Sequence, residues 1–208
     1  MDGEVDLRSR GDVRRDAILR IARSAFLEDG YAATSMSAIA ARLGGSKGTL
    51  YNYFRSKDEL FVAFMREVCM KEADEAFSLE GYDGDIRAAL HRVGVLFVRV
   101  CLSETVAAVH RLVIAEGTRF PELGRAFYEA GPRKSLRVMT AFFEREAGAG
   151  RLRTLDAARA ASQFLELCKG GLNTRRLWTG EEVAPEEIDA TVASAVTVFM
   201  AAYGPERG

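Results

Sequence analysis

Apolar residues recur at intervals of three and four along almost the whole chain, and this spacing is what most limits the fold. The first such segment carries Val13, Ala17, Ile18, Ile21, Ala22, Ala25 and Phe26. This spacing is typical of one buried helix face. The chain shows neither the alternation of a half-buried strand nor a strand–helix–strand pattern with a Gly-rich phosphate loop. The sequence therefore predicts an all-α protein.

Capping and breaking residues divide this pattern into nine helices. Thr34 or Ser35 can cap the second helix, and Ser56 with Glu59 has the form of a capping box at the start of the fourth. The seventh should kink or break at Gly131-Pro132, because proline lacks a backbone donor and clashes with the preceding turn. We expect the helices over residues 12–28, 36–43, 46–54, 56–77, 85–101, 103–117, 121–147, 155–177 and 185–203.

Composition places the chain among soluble globular proteins. It has 208 residues, 48% hydrophobic and 28% charged, which is too apolar for a disordered chain. No run reaches the ~18 consecutive apolar residues of a membrane span. The first seven residues are acidic and precede no apolar stretch, unlike a signal peptide. We expect a cytoplasmic protein without a membrane partner.

Positive charge is concentrated near the N-terminus. Residues 7–57 hold ten Arg and Lys but four Asp and Glu, an excess of six positive charges, whereas the whole chain carries a net charge of −1. The remainder therefore carries −7. This distribution fits a protein with a basic N-terminal head, which would contact nucleic acid, attached to an acidic body. The alternative is an ordinary solvated surface.

Residues 34–54 form a helix-turn-helix candidate, two short helices joined by a turn that contains Gly44 and Gly45. The second helix of such a motif must keep one face in the core while the other enters the major groove. Leu50 and Phe54, four residues apart, can supply the core face. The outward positions hold groups suited to base edges and phosphates, namely Lys47, Thr49, Tyr51, Asn52 and Tyr53.

In this region the chain closely resembles the TetR family of bacterial regulators. The resemblance covers residues 14–64 and is carried by AIA at 38–40, SKGTLYNYF at 46–54 and SKDELF at 56–61. Phe26, Gly30 and Tyr31 precede these stretches at the family's spacing. Gly45 departs from the pattern, because the family usually has valine or isoleucine there. Loss of that side chain should loosen the turn.

The resemblance implies a DNA-binding domain over residues 1–57 and a ligand-binding and dimerisation domain over residues 58–208. It implies a homodimer that binds a pseudo-palindromic double-stranded operator, most often as a repressor. The residues expected at DNA are Thr34, Ser35, Ser37, Ser46, Lys47, Gly48, Thr49, Tyr51, Asn52, Tyr53 and Lys57. Gly48 would let the backbone approach a base, and Tyr53 and Lys57 would contact phosphates.

The rest of the chain resembles an AefR-like C-terminal domain through residues 109–123 and 126–132. The resemblance implies a small-molecule effector, apolar as in most of the family, in a pocket between the middle helices. Expected lining residues are Phe97, Cys101, His110, Phe127, Met139 and Phe143. The last two helices would pair across a two-fold axis through Phe164, Leu165, Cys168, Leu172, Val192, Val196 and Phe199. The alternative for both sets is packing within one protomer.

No enzyme class is indicated, since the sequence has no metal-ligand spacing, nucleophile motif or phosphate loop. We therefore expect no cofactor and no metal. Cys69, Cys101 and Cys168 lie far apart in apolar helical contexts, which favours buried structural thiols over a redox sensor. An enzyme and a helical interaction protein without DNA binding remain the alternative classes.

Overall fold

The computed structural model describes residues 10–77, 82–153 and 156–205, and for residues 10 and 69–76 it describes the backbone alone. Every regular element in these ranges is an α-helix, which confirms the predicted fold class. The helices are α1 (Arg10–Glu28), α2 (Met36–Arg42), α3 (Lys47–Tyr51), α4 (Lys57–Ala76), α5 (Ile86–Leu102), α6 (Glu104–Glu116), α7 (Pro121–Ala130), α8 (Pro132–Gly148), α9 (Ala157–Lys169), α10 (Leu172–Thr179) and α11 (Pro185–Tyr203).

The described ranges contain two more helices than the nine expected. The expected break at Gly131-Pro132 is confirmed, because α7 ends at Ala130 and α8 begins at Pro132. The single helix expected over 155–177 is wrong. Gly170 and Gly171 have φ of 49° and 85°, so the left-handed backbone ends α9 before α10 begins. The expected first residue, Leu155, lies outside the described residues, as does the Cys69 side chain.

The chain divides into two compact units. The first contains the described residues up to 67 together with 112–126, and the second contains the remaining described residues. This differs from the domain boundary expected between residues 57 and 58. The first eleven residues of α4 belong to the first unit, as does a segment from the end of α6 into α7.

Aromatic rings form the core of the first unit. The Phe26 ring lies 5.3 Å from that of Phe61 and 5.6 Å from that of Tyr31, centroid to centroid. Ile39 of α2 and Leu50 of α3 are fully buried. Helix α2 packs against both α1 and α3, and the two short helices depend on such packing because helices of seven and five residues are too short to be stable alone.

In the second unit the core is built by α5, α8, α9 and α11. Phe143 and Phe199 stack with their centroids 4.8 Å apart, and Phe164 meets Phe199 edge to face at 5.3 Å. Such aromatic pairs add to the free energy gained from apolar burial.

A buried carboxylate closes the C-terminal end of α8. Glu146 is fully buried and accepts hydrogen bonds from Arg151 Nε at 2.5 Å, from Arg145 Nε at 3.1 Å and from the Tyr82 hydroxyl. Burial alone would raise the pKa of Glu146, but the hydrogen bonds from Arg151, Tyr82 and Arg145 hold it below its usual value. The carboxylate is therefore ionised and paired at neutral pH.

Within the described residues, no single helix has both the length and the apolar content of a membrane span. Only α5 and α6 taken together pass that test, and the chain bends by 59° between them.

Candidate functional site

The helix-turn-helix forms as predicted, and two serines cap its helices. Ser35 Oγ accepts a hydrogen bond from the Ala38 N–H at 3.1 Å, and Ser46 Oγ accepts one from the Thr49 N–H at 3.2 Å. Both serines precede the first residue of their helix in extended backbone, the usual geometry of an N-cap. These caps fix where α2 and α3 begin.

Helix α3 turns its polar face outward. Leu50 is fully buried, whereas the Tyr51 ring is 47% exposed. Thr49 and Tyr53 are half-buried. The other exposed residues of the predicted DNA-binding set are Ser35, Ser37, Ser46, Lys47, Gly48 and Asn52. The arrangement provides a surface of donors and aromatic edges for a groove.

Two predicted DNA contacts have internal partners instead. Thr34 is 2% exposed, and its hydroxyl donates to the carbonyls of Ala25 and Gly30, so its prediction as a DNA contact is wrong. Lys57 Nζ donates to the carbonyls of Tyr31 at 2.7 Å and Thr34 at 3.0 Å. Burial lowers the pKa of Lys57. A phosphate contact by Lys57 stays a prediction and would use its remaining N–H.

Two arginines of α1 that sequence reasoning did not single out lie beside the motif. The Arg15 guanidinium lies over the Phe54 ring, 5.3 Å from its centroid. Arg14 extends over the turn between α2 and α3, where its Nη2 would lie 3.0 Å from a Cβ added to Gly45. The basic excess of residues 7–57 was the available signal for both.

The two glycines of the turn should respond oppositely to alanine. Gly45 has no positive φ, and an added Cβ would press only on the mobile end of Arg14. We expect Gly45→Ala to stabilise the protein by about 0.4–1 kcal/mol, because alanine restricts the unfolded chain. Gly44 has φ of +66°, so Gly44→Ala should destabilise by roughly 1–2 kcal/mol despite the open space around it. Thermal unfolding of both variants measures this. Melting-temperature shifts of the same sign in the two variants would contradict the opposite effects expected at Gly44 and Gly45.

The second unit contains a cavity of about 240 Å³. Of the six residues predicted to line it, Phe97, Cys101, His110 and Phe127 do so. The other lining residues, which were not predicted as such, are Phe77, Val100, Val106, Tyr128, Gly131, Pro132, Ser135, Leu136, Ser162, Leu165, Glu166, Lys169 and Asn173. The break at Gly131-Pro132 lies in the cavity wall and was the signal that could have located it.

Met139 and Phe143 were predicted to line the pocket but belong to the core instead. Met139 is 2% exposed and Phe143 is fully buried. The ring of Phe143 packs against Phe164 and Phe199. Both residues lie on α8, where Ser135 and Leu136 in the first turns line the cavity.

The cavity is aromatic with a polar edge. The His110 and Phe127 rings lie 5.2 Å apart at 32°. Burial lowers the pKa of His110, and the positive charge of Lys169 lowers it further, so the imidazole is neutral at pH 7. A neutral imidazole offers one donor and one acceptor. Lys169 pairs with Glu166 at 2.6 Å, which balances the charge at this edge.

The residues predicted at a dimer interface are all buried inside one protomer. None of Phe164, Leu165, Cys168, Leu172, Val192, Val196 and Phe199 is more than 7% exposed. Their apolar side chains are already covered by the core of the second unit, and Leu165 also lines the cavity. The structure fits the alternative, in which these seven side chains pack within one protomer. The prediction that they form the dimer interface is therefore corrected.

Burial raises the pKa of Cys168 to about 12, so its thiol stays protonated at neutral pH. This fits a structural thiol. Among the described residues, no group of three or more His, Cys, Asp or Glu side chains is arranged to hold a metal ion.

Models of two protein families match this chain. Residues 18–64 match the model for bacterial regulatory proteins of the tetR family, and residues 88–205 match the AefR-like transcriptional repressor C-terminal domain. The two matches fall on the helix-turn-helix and on the part of the chain that holds the cavity.

Solved structures with the same fold cover nearly the whole chain. One is a TetR-family transcriptional regulator from Mesorhizobium loti, 27% identical, covering 95% of this chain and 100% of its own, with a TM-score of 0.83. Another is the Flavonoid-responsive Regulator FrrA, 31% identical, covering 94% of this chain and 99% of its own, also with a TM-score of 0.83.

Matches to curated proteins are shorter. The DNA-binding transcriptional repressor TetR of Mycobacteroides abscessus is 33% identical over 82 residues, which is 39% of this chain. This chain covers only 35% to 43% of the length of three curated relatives that it matches. The two family models and the full-length structural matches nevertheless agree. The chain belongs to the TetR family of bacterial transcriptional regulators and carries an AefR-like C-terminal domain.

Proposed function

We propose that this DNA-binding regulator represses transcription as a homodimer and leaves its operator when a small, mostly apolar planar molecule occupies the cavity. The observation that carries the DNA-binding part is the exposed polar face of α3. Leu50 anchors that helix in the core, while Lys47, Tyr51 and Asn52 are open to solvent. This is the arrangement that a recognition helix needs.

Contacts to the DNA backbone would come from groups around α3. Ser35 and Ser46 lie exposed at the N-termini of α2 and α3, where the first backbone N–H groups favour phosphate. Arg14 and Arg15 add positive charge on α1 beside the motif. We propose that these groups set the register of the head on DNA, while α3 reads bases.

We place the homodimer contact on the outward face of α11. That face is made of small side chains and is exposed in the single protomer, at Ala190, Ala193, Ser194, Thr197 and Ala201. Small residues at three- and four-residue spacing let a second helix approach closely. Val198 and Leu167 are 49% and 37% exposed and add apolar surface on α11 and α9. A dimer would present two recognition helices to half-sites ~34–36 Å apart.

The chemistry of the cavity supports a planar aromatic effector. Phe77, Phe97 and Phe127 supply ring faces, and the neutral His110 supplies one hydrogen-bonding group. At about 240 Å³ the cavity is smaller than the ~300–1,000 Å³ common for ligand sites, which favours a compact molecule. The structural relative FrrA is named as flavonoid-responsive. We propose a polyphenol or similar ligand for this chain.

DNA binding is tested by fluorescence anisotropy with duplexes from the region upstream of the gene. We expect Lys47→Ala and Tyr51→Ala each to weaken specific binding by about 1–3 kcal/mol, roughly 5- to 150-fold, because each removes a groove contact. Wild-type binding should fall steeply as the salt concentration rises, since phosphate contacts release counterions.

Arg137→Ala provides the matched control, because Arg137 is exposed on α8 in the second unit. It should leave the dissociation constant unchanged. Equal losses for Arg137→Ala and Lys47→Ala would show that the effect is one of overall charge. If both α3 variants bound as tightly as wild type, the assignment of α3 as the recognition helix would be wrong.

A further inference from the structure

The junction between α6 and α7 contacts the loop that leads into the helix-turn-helix. Glu116 is the last residue of α6, and its carboxylate accepts hydrogen bonds from the backbone N–H groups of Tyr31 at 2.7 Å and Ala32 at 2.9 Å. A carboxylate at a helix C-terminus is unfavourable towards the helix dipole. Its two hydrogen bonds to a segment some 85 residues away supply a reason for its position.

Glycine at position 30 permits this approach. Gly30 has φ of +81°, and an added Cβ would lie 3.0 Å from Glu116 Oε1. A side chain there would meet both an unfavourable backbone conformation and the carboxylate itself. The loop of residues 29–35, here called the α1–α2 loop, is therefore shaped around Glu116.

Lys57 binds backbone carbonyl groups of the same loop, and Phe120 packs against its Tyr31 ring. Lys57 Nζ donates to the Tyr31 and Thr34 carbonyls and lies 4.1 Å from the centroid of the Tyr31 ring. The Phe120 ring meets the Tyr31 ring edge to face at 5.1 Å. The loop thus has its amides bound to a carboxylate from α6 and its carbonyls bound to an ammonium from α4.

The α1–α2 loop determines where α2 begins. It ends at Ser35, which caps α2, and Thr34 fastens it to α1 through the Ala25 carbonyl. A displacement of this loop would move the N-terminus of α2 and with it the packing of α3. Its position therefore bears on the DNA-binding surface.

The helices that meet at Glu116 also line the cavity. Val106 and His110 lie on α6, and Phe127 and Tyr128 lie on α7. The connection between the helices is short and hydrogen-bonded, since the N–H groups of Arg119 and Phe120 donate to the Glu116 carbonyl at 3.0 and 2.9 Å. A molecule inserted against His110 and Phe127 acts on both helices that carry the junction.

We infer that Glu116 is the positioning residue that couples occupancy of the cavity to the helix-turn-helix, through its hydrogen bonds to the α1–α2 loop. This rests on the proposed release of DNA by a ligand, and it identifies the residue through which release occurs. Glu116 touches neither ligand nor DNA in this assignment. It acts by holding the loop where α2 and α3 fit the operator.

A double-mutant cycle on the full-length protein tests the coupling without a known ligand. Val100→Phe places a ring in the cavity from α5, and Leu136→Trp does so from α8 as a second, independent filling variant. Operator affinity is measured by anisotropy for each variant with Glu116 and with Glu116→Gln. Glutamine keeps the shape of the side chain, but its oxygen can accept from only one of the two N–H groups, and its NH2 group, which only donates, would face the other.

With Glu116 present, we expect filling of the cavity to weaken operator binding by roughly 5- to 150-fold, the usual range of allosteric coupling. With Glu116→Gln, the same filling should change the affinity by a factor close to one. A merely structural role would lower the affinity and the melting temperature of the Glu116→Gln background whether or not the cavity is filled, and would leave the effect of filling unchanged. Glu122→Gln, which removes a nearby α7 carboxylate, should retain the full effect of filling.

Two results would overturn the inference, and they differ. An equal loss of affinity on filling in both backgrounds leaves ligand release standing and removes Glu116 from it. No loss in either background for both filling variants, with folding confirmed by circular dichroism, removes the proposed release of DNA and the role of Glu116 together.

Discussion

Replacement of Glu146 by alanine is expected to destabilise the protein by about 1–3 kcal/mol, because it removes a buried carboxylate that accepts three hydrogen bonds, two of them from partly exposed arginines. Glu146 is fully buried at the end of α8 and is the common acceptor for Tyr82, Arg145 and Arg151. Without it, the hydroxyl of the partly buried Tyr82 loses this acceptor, and the space of the Glu146 side chain is left empty. The loop after α8 also loses its contact through Arg151.

Urea unfolding followed by circular dichroism measures this loss. The matched control is Glu144→Ala, two residues earlier on the same helix at an exposed position, which should change stability by less than about 0.5 kcal/mol. If the two variants lost similar amounts, helix propensity or net charge would explain the effect, and the cluster would contribute nothing specific.

The same carboxylate should make stability depend on pH in a defined direction. The hydrogen bonds from Arg151, Tyr82 and Arg145 outweigh burial and hold the pKa of Glu146 below its usual value. A group with a depressed folded-state pKa contributes stability above its unfolded value of about 4.3, and this contribution disappears as the pH falls through the folded value. The stability gap between wild type and Glu146→Gln should therefore narrow below about pH 4. A constant gap would exclude a charge-dependent contribution.

The limits of most helices could be read from the sequence because their ends carry local signals. Pro185 begins α11 with Glu186 and Glu187 in its first turn, and the helix ends at Tyr203 as expected. The break after α9 was missed. Gly170 and Gly171 lie within an unbroken apolar pattern, and only their left-handed backbone in the folded chain ends the helix.

What an apolar stripe packs against cannot be read from its spacing. Cys168 and Val192 have the pattern expected of a helix pair across a two-fold axis, yet both are fully buried within the protomer. Burial within a protomer and burial between protomers select the same side chains. The prediction of pocket-lining residues is limited in the same way. His110 and Met139 were both predicted to line the pocket, and they differ only in whether the folded helices leave space beside them.

The role of Glu116 was open to prediction from a different signal. The sequence around it, residues 109–123, pointed to the AefR-like domain but gave no role for the residue. A glutamate as the last residue of a helix conflicts with the helix dipole, and such local conflicts are expected at functional positions. The partner N–H groups of Tyr31 and Ala32 lie too far away along the chain for spacing to identify them.

Substitution of Ala193 by arginine is expected to convert the protein to a monomer and to weaken operator binding by about 10²- to 10⁴-fold. Ala193 lies at the centre of the small-residue face of α11, between Ala190 and Thr197, and is exposed in the single protomer. A long charged side chain there would hold a second helix away and would place unpaired charge in the contact. Each head would then bind its half-site alone, without the effective concentration that the dimer provides.

Sedimentation equilibrium and anisotropy with the same operator measure the two effects together. Ala141→Arg makes the same change at an exposed position of α8 and should leave both the dimer and the affinity intact. If Ala193→Arg remained dimeric with full affinity, the contact would lie on another surface, and the exposed face of α11 would need a different explanation. If it became monomeric yet bound as tightly as wild type, each head would suffice alone and the two-half-site operator would be wrong. Loss of both properties in Ala193→Arg alone ties operator affinity to this face, because the recognition helix itself is unchanged.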